Sequence, residues 1–222
     1  MDDPGLDPRA HAAALRGLGR IHWVSRPDAA LWPRIAALLD QHRDRPLSLL
    51  DVACGGGVVA LALARRAARH NRSIEIEGCD KSPRAVEFST RRAAGMGLAA
   101  RFFECDVLTQ PFPKRYDIVT CSLFLHHLDD DDAITLLGHM AAAATQLVLV
   151  DDLVRGRVGY LLAWVGCRLL SRSPVVHFDG VASVAAAYNV CEAATLADRA
   201  GLIGAEVTRH WPRRFLMSWS PP

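Results

Sequence analysis

Two groupings in this 222-residue chain have residue types and spacing that could do chemistry. The first is Asp51-Val52-Ala53-Cys54-Gly55-Gly56-Gly57, a carboxylate followed by a run of glycines. Glycine tolerates positive φ and has no Cβ, so such a loop lets backbone N–H groups approach a small polar ligand. Taken alone it is also an ordinary glycine-rich turn, and Gly55-x-Gly57-x-x-Ala60 matches the loose pattern of dinucleotide-binding loops. The second grouping is His126-His127 with Asp151-Asp152. An imidazole titrating near neutrality can take a proton from a hydroxyl as that hydroxyl attacks an electrophile, and a carboxylate can orient it. Adjacent side chains leaving a strand end point apart, so only one of the two histidines should face a reacting centre. A packed or cap-adjacent histidine is the alternative.

These residues are positioned by apolar runs that alternate with helix-favouring stretches. Leu47 to Ala53 reads as a strand that breaks into the glycine loop and resumes as a helix from Val58 to His70. Ser73 to Asp80 is a second strand, and Ser82-Pro83 then starts a helix reaching Met96. Further strands are expected at Ala99–Cys105, Tyr116–Ser122 and Gln146–Val150, with a helix from about Asp130 to Ala144 between the last two. Asp129 to Asp132 would favour the positive end of that helix. Strands apolar throughout, alternating with helices, indicate a parallel sheet covered on both faces. The histidine pair then follows the fourth strand, and the aspartate pair follows the fifth, its expected neighbour. Beyond Val150 the rhythm changes: Val158 to Leu170 is apolar on nearly every face and reads as an inserted lid, or as a dimer interface. Glu192 to Ala200 is a closing helix, and Ile203–Arg209 with Phe215–Ser218 form a hairpin about Trp211-Pro212.

This order of landmarks resembles the class I S-adenosylmethionine-dependent methyltransferases. Within that family it resembles the ubiquinone and menaquinone biosynthesis enzymes and the small-molecule methyltransferases that accompany polyketide synthases. Asp51, Gly55 and Gly57 match the acid and later glycines of the family's first motif, while Ala53 stands where its first glycine is usual. The resemblance implies a Rossmann-like α/β fold, a doubly wound, seven-stranded, mostly parallel sheet, with S-adenosyl-L-methionine as cofactor. It implies that Asp80, with Lys81 beside it, accepts hydrogen bonds from the ribose hydroxyls; the same acid would serve NAD, or cap the next helix. Asp106 would accept from the adenine amino group and Val107 would lie along the ring. Ala53 and Cys54 would line the loop, and Thr120 to Leu128, including Ser122, would pass the methionine moiety. His127, immediately before Leu128, aligns with the family's usual histidine and is preferred to His126 as general base, with Asp151 or Asp152 orienting it. The Tyr-x-x-x-Lys pair of short-chain dehydrogenases does not occur.

The expected organisation is an N-terminal helical cap over 1–45, a cofactor-binding core over 46–152, a helical lid over 153–190, and a closing helix and hairpin over 191–222. The cap, with helices around His11–Leu18 and Leu31–His42, and the lid supply aromatic residues: Trp23, Tyr160, Trp164, His177 and Phe178 are the expected acceptor contacts. They favour a phenol, quinone precursor or polyketide, methylated on oxygen, over protein or RNA. The readings from other classes are an NAD-linked oxidoreductase and a non-catalytic nucleoside- or partner-binding protein.

Composition narrows the classes further. Half the residues are hydrophobic and 23% are charged, enough apolar material for a core. A net charge of +2, with no basic run interleaved with aromatics, argues against nucleic acid. Val158 to Cys167, closed by Arg157 and Arg168, falls well short of the roughly 20 residues that a bilayer span needs. The acidic N-terminus carries no secretory pattern, so a cytoplasmic location is expected. Six cysteines without a C-x-x-C pair read as reduced, packed thiols with no metal.

Overall fold

The computed structural model describes residues 26–171 and 174–222. The expected helix at His11–Leu18 and the expected contact Trp23 lie outside them. In chain order the elements are α1 (Pro27–Gln41), β1 (Leu47–Val52), α2 (Val58–Arg69), β2 (Ile74–Asp80), α3 (Pro83–Gly95), β3 (Ala100–Glu104) and β4 (Tyr116–Ser122). A single 3-10 turn (Leu125–His127) follows, then α4 (Asp130–Ala143), β5 (Ala144–Leu153), α5 (Arg157–Leu170), α6 (Pro174–Ala186), α7 (Val190–Arg199), β6 (Glu206–His210) and β7 (Arg214–Trp219).

The strands form one seven-stranded sheet in the order β3-β2-β1-β4-β5-β7-β6. The first five are parallel, and β7 enters antiparallel between β5 and β6. Chain order reverses between β1 and β4, and an open α/β sheet binds its ligands outside the carboxyl ends at such a point.

Alternation along each strand explains why the runs are apolar throughout. Leu49 on β1, Ile118 on β4 and Leu147 and Leu149 on β5 pack with Leu31 and Ile35 of α1 and Leu63 of α2. Their neighbours Leu50, Val119, Val148 and Val150 point the other way, against Leu136 and Met140 of α4 and Leu196 of α7. Both faces are therefore dry, and a one-residue slip would exchange the two cores without exposing either. Register is pinned by polar contacts at the amino edge instead. Asp117 takes two bonds from the Arg45 guanidinium (2.9 and 2.7 Å) and the Ser48 N–H (2.8 Å). The Arg45 hydrogen bonds hold that carboxyl far below the ordinary carboxylate range, outweighing its burial.

Helix starts are set by side chains on orphan N–H groups. Ser82 caps α3, Asp129 caps α4 ahead of three acids in the first turn, and Asn189 with Glu192 forms a reciprocal capping box on α7. The structure extends β5 to Leu153, because β7 pairs with it as far as Arg214, and it adds α6 and the 3-10 turn to the expected elements. Cys79, Cys105 and Cys121 sit in the core, and every cysteine is a free thiol. No helix among the described residues is long and apolar enough to cross a membrane.

Candidate active site

The glycine loop turns sharply where β1 meets α2, with Ala53, Gly55 and Gly57 at φ +52°, +52° and +67°. A Cβ built on Gly55 would meet nothing within 4 Å, so this part of the loop faces open space that a ligand can enter. Gly57 differs: a Cβ there would meet Phe102 and Ser89 at 3.0 Å, so its glycine is required by packing as well as by φ. Ala53 holds the left-handed conformation at a cost of roughly 1–2 kcal/mol. Ala53→Gly is therefore expected to raise Tm by about 1–3 °C, the relieved strain exceeding the added freedom of the unfolded chain. A lower Tm in thermal melts would show that the alanine methyl contributes more by packing than it costs in strain.

The Asp80 carboxylate joins this loop to the next unit. One oxygen accepts the Gly55 N–H and the other the Ser82 N–H, both at 2.9 Å. The cap of α3 is Ser82, so Asp80 is not the helix cap; it is half-buried and each oxygen retains a free lone pair. Lys81 beside it is exposed. At the end of β3 the Asp106 Oδ1 accepts the Leu108 N–H (3.1 Å), while the buried Val107 is anchored through its carbonyl by His139 Nδ1–H (2.9 Å). Ser122, at the end of β4, has a buried hydroxyl with no partner among the described residues. Cys54 sits in the loop with its thiol pushed well up by burial, which suits packing and not nucleophilic work. A loop with space above Gly55, a strand-end carboxylate with spare acceptors and an orphaned hydroxyl form a donor set that fits a nucleoside-containing cation.

Asp51 lies beneath the loop. It is buried, accepts the Thr120 hydroxyl at 2.9 Å and the Ala60 N–H, and its carboxyl is pushed up to about 7 by burial, against those hydrogen bonds. Between about pH 4 and 7 the native state therefore holds a proton that the unfolded state has released, so stability should fall as pH rises through that window. Urea midpoints of the ligand-free protein should show this slope, and Asp51→Asn should flatten it. An unchanged slope in the variant would place the titration elsewhere.

The two groups expected to provide the base and its orienter meet, in a different pairing. The 3-10 turn brings His126 inward: its Nδ1–H donates to Asp152 Oδ1 at 2.6 Å, and its backbone N–H donates to Asp152 Oδ2 at 3.2 Å. Burial alone would raise the Asp152 carboxyl, but the charge and hydrogen bond of His126, the Leu153 N–H and Arg214 together hold it below its ordinary value. An ionised acceptor there fixes the proton on Nδ1 and leaves Nε2 as the basic nitrogen. His127 is exposed, its ring 6.2 Å from Phe124 and 4.2 Å from His126. Asp151 faces away from the His126–Asp152 dyad: Arg214 Nη2 donates to its Oδ2 at 2.5 Å and His210 Nε2 lies 2.9 Å from its Oδ1. Of the two aspartates expected to orient His127, Asp152 is instead bonded to His126, and Asp151 points to the opposite side of β5.

A cavity of about 570 Å³ opens between α5, the end of β5 and the β6–β7 hairpin. Val154, Val158 and Leu162 form its apolar wall, and the hairpin brings Arg209, Arg213 and Arg214. None of the aromatic lid residues expected to contact an acceptor lines it. Tyr160, Trp164 and Phe178 are 47%, 45% and 75% exposed, Arg168 stacks over the Trp164 ring at 4.1 Å, and His177 is tied by Nε2 to the Ser171 carbonyl (2.7 Å). Val158 and Leu162, four apart, line the cavity from one side of α5 and are themselves 49% and 41% exposed, while the buried side of the helix carries Gly159 and Cys167. Arg214 and His210 were not singled out in the sequence, where cations beside a turn read as solvated.

Residues 49–146 match a family described as a methyltransferase domain. The ubiquinone biosynthesis O-methyltransferase of Pseudomonas entomophila (strain L48) is 27% identical over 124 residues, covering 55% of this chain and 51% of the relative. The enzyme of the same name from Pseudomonas putida (strain F1) is 28% identical over 169 residues, covering 73% and 70%. Against several of these curated relatives the chain spans about half their length. Among solved structures, magnesium protoporphyrin IX methyltransferase from Synechocystis PCC 6803, with bound SAH, superposes with a TM-score of 0.60 at 16% identity, covering 88% of this chain and 83% of that one.

Proposed function

We propose, from the premise that the core of this chain is a class I S-adenosylmethionine-dependent methyltransferase domain, that it methylates a hydroxyl of a small aromatic or lipid-like acceptor, with His126 as general base. The observation carrying the reading is the His126–Asp152 dyad at the carboxyl edge, one strand from the glycine loop's cleft. S-adenosylmethionine, when bound, supplies an electrophilic methyl group on its sulfonium. Asp80 would accept the ribose hydroxyls, the second Asp106 oxygen the adenine amino group, and Ser122 Oγ would find its partner on the amino-acid moiety. Asp152 keeps Nδ1 protonated, so Nε2 takes the acceptor's proton as the hydroxyl attacks, and the buried carboxylate stabilises the imidazolium formed. Helix α6, packed against the 3-10 turn, acts with α5 as the lid that keeps water from the dyad. The O-methyltransferase names of the relatives and the apolar wall of the cavity support a phenolic or polyketide acceptor.

The direct test is ligand-dependent melting. S-adenosylmethionine and S-adenosylhomocysteine at a hundred times Kd should each stabilise the chain by about 2.7 kcal/mol and raise Tm by roughly 5–10 °C, while NAD should do nothing. Stabilisation by NAD instead would overturn the reading.

A further inference from the structure

Arg214 is 1% exposed, lines the cavity under α5, and uses only Nη2, which donates to Asp151. Its Nε and Nη1 are buried with no acceptor among the described residues. A buried guanidinium left with idle donors is costly, and proteins ordinarily give it carbonyls or carboxylates. Asp151 does not reach them: its Oδ2 takes Nη2 and its Oδ1 faces His210 Nε2 at 2.9 Å, while His210 Nδ1 faces the Trp211 carbonyl at 2.8 Å. Both ring nitrogens of His210 thus face oxygen atoms, and the Arg214 guanidinium brings a positive charge to the wall. Arg209 and Arg213 add to it, opposite the apolar Val154, Val158 and Leu162. The volume, about 570 Å³, is that of a site for a small organic molecule.

We propose that this cavity binds the acceptor and that Arg214 selects acceptors carrying a carboxylate on an aromatic or polyketide body, an assignment that rests on the methyl-transfer reading above. The carboxylate oxygens accept from the idle Arg214 donors, and the apolar body lies against Val158 and Leu162. Arg214 stands opposite Leu153 in the β5–β7 pairing, on the Asp151 side of the sheet, while His126 meets Asp152 from the other side, so an acceptor whose acid Arg214 holds reaches over the carboxyl edge of β5 to bring its hydroxyl to His126.

The test is calorimetric binding of 1,4-dihydroxy-2-naphthoate, and of its uncharged methyl ester, to the full chain saturated with S-adenosylhomocysteine. Wild type should bind the acid at least about tenfold more tightly than the ester, as a charge-assisted buried hydrogen bond requires. Arg214→Gln should lose that preference. Should Arg214→Gln fail to fold, Arg214→Lys keeps the charge opposite Asp151 while removing the extra donors, and should shrink the preference to a few-fold. Leu162→Trp, which fills the cavity from α5, should abolish binding of both probes and leave S-adenosylhomocysteine affinity unchanged. Equal affinity for acid and ester, no binding of either to wild type, or undiminished binding in Leu162→Trp each overturns the proposal. Failure of S-adenosylhomocysteine to bind wild type would instead overturn the methyl-transfer reading itself.

Discussion

His126→Ala is expected to lower kcat about 10²- to 10⁴-fold while leaving S-adenosylmethionine affinity nearly unchanged. The effect should be this large because His126 is buried, held by two bonds to Asp152, and presents a single basic nitrogen. A base works only when unprotonated, so wild-type kcat should fall toward acid, and the variant should lose that limb along with most of its rate. Asp152→Asn should cost on the order of 10²-fold or more as well, since an amide NH₂ facing Nδ1 favours the tautomer whose proton sits on Nε2. His127→Ala should cost less than about tenfold, because the imidazole that Asp152 holds in place is the buried His126 and His127 is exposed. The measurement is kcat against pH for all three variants, with His126→Gln as a volume-preserving control. A large loss in His127→Ala and a small one in His126→Ala would return the base to His127 and make the dyad structural.

Asp80→Ala is expected to weaken S-adenosylmethionine and S-adenosylhomocysteine alike, by about 10²-fold or more. Hydrogen bonds to a charged group contribute about 1.5–3 kcal/mol each, and the ribose offers two hydroxyls. The two ligands should suffer equally because the ribose is common to both. The loss is compounded because Asp80 also holds the Gly55 and Ser82 N–H groups, so its removal frees the loop that must approach the ligand. Asp80→Asn, keeping one acceptor, should fall between wild type and alanine. Calorimetric affinities unchanged in Asp80→Ala would remove this carboxylate from the binding site and leave it a loop anchor.

Sequence by itself determined the fold and the edge that carries the glycine loop, because both are written in local patterns. Strands β1, β4 and β5 are buried on both faces, so each announces itself as a mainly apolar run. The glycine loop and Ser82-Pro83 carry backbone conformations and caps that depend on a few consecutive residues, and they delivered Asp51, Gly55 and Asp80 to one edge. Tertiary structure alone decided which histidine meets which aspartate. The rule that neighbouring side chains point apart is correct for β5, where it sends Asp151 toward Arg214 and Asp152 toward His126. It says nothing about rotation in a 3-10 turn, and that turn is what buries His126 and exposes His127. Arg214 was hidden for the same kind of reason. Its counter-charge lies 63 residues away on a strand that becomes its neighbour only when β7 inserts antiparallel beside β5. A cation at a strand end is solvated in most sequences, and only that long-range pairing, with α5 folded over it, makes this one the buried wall of a cavity.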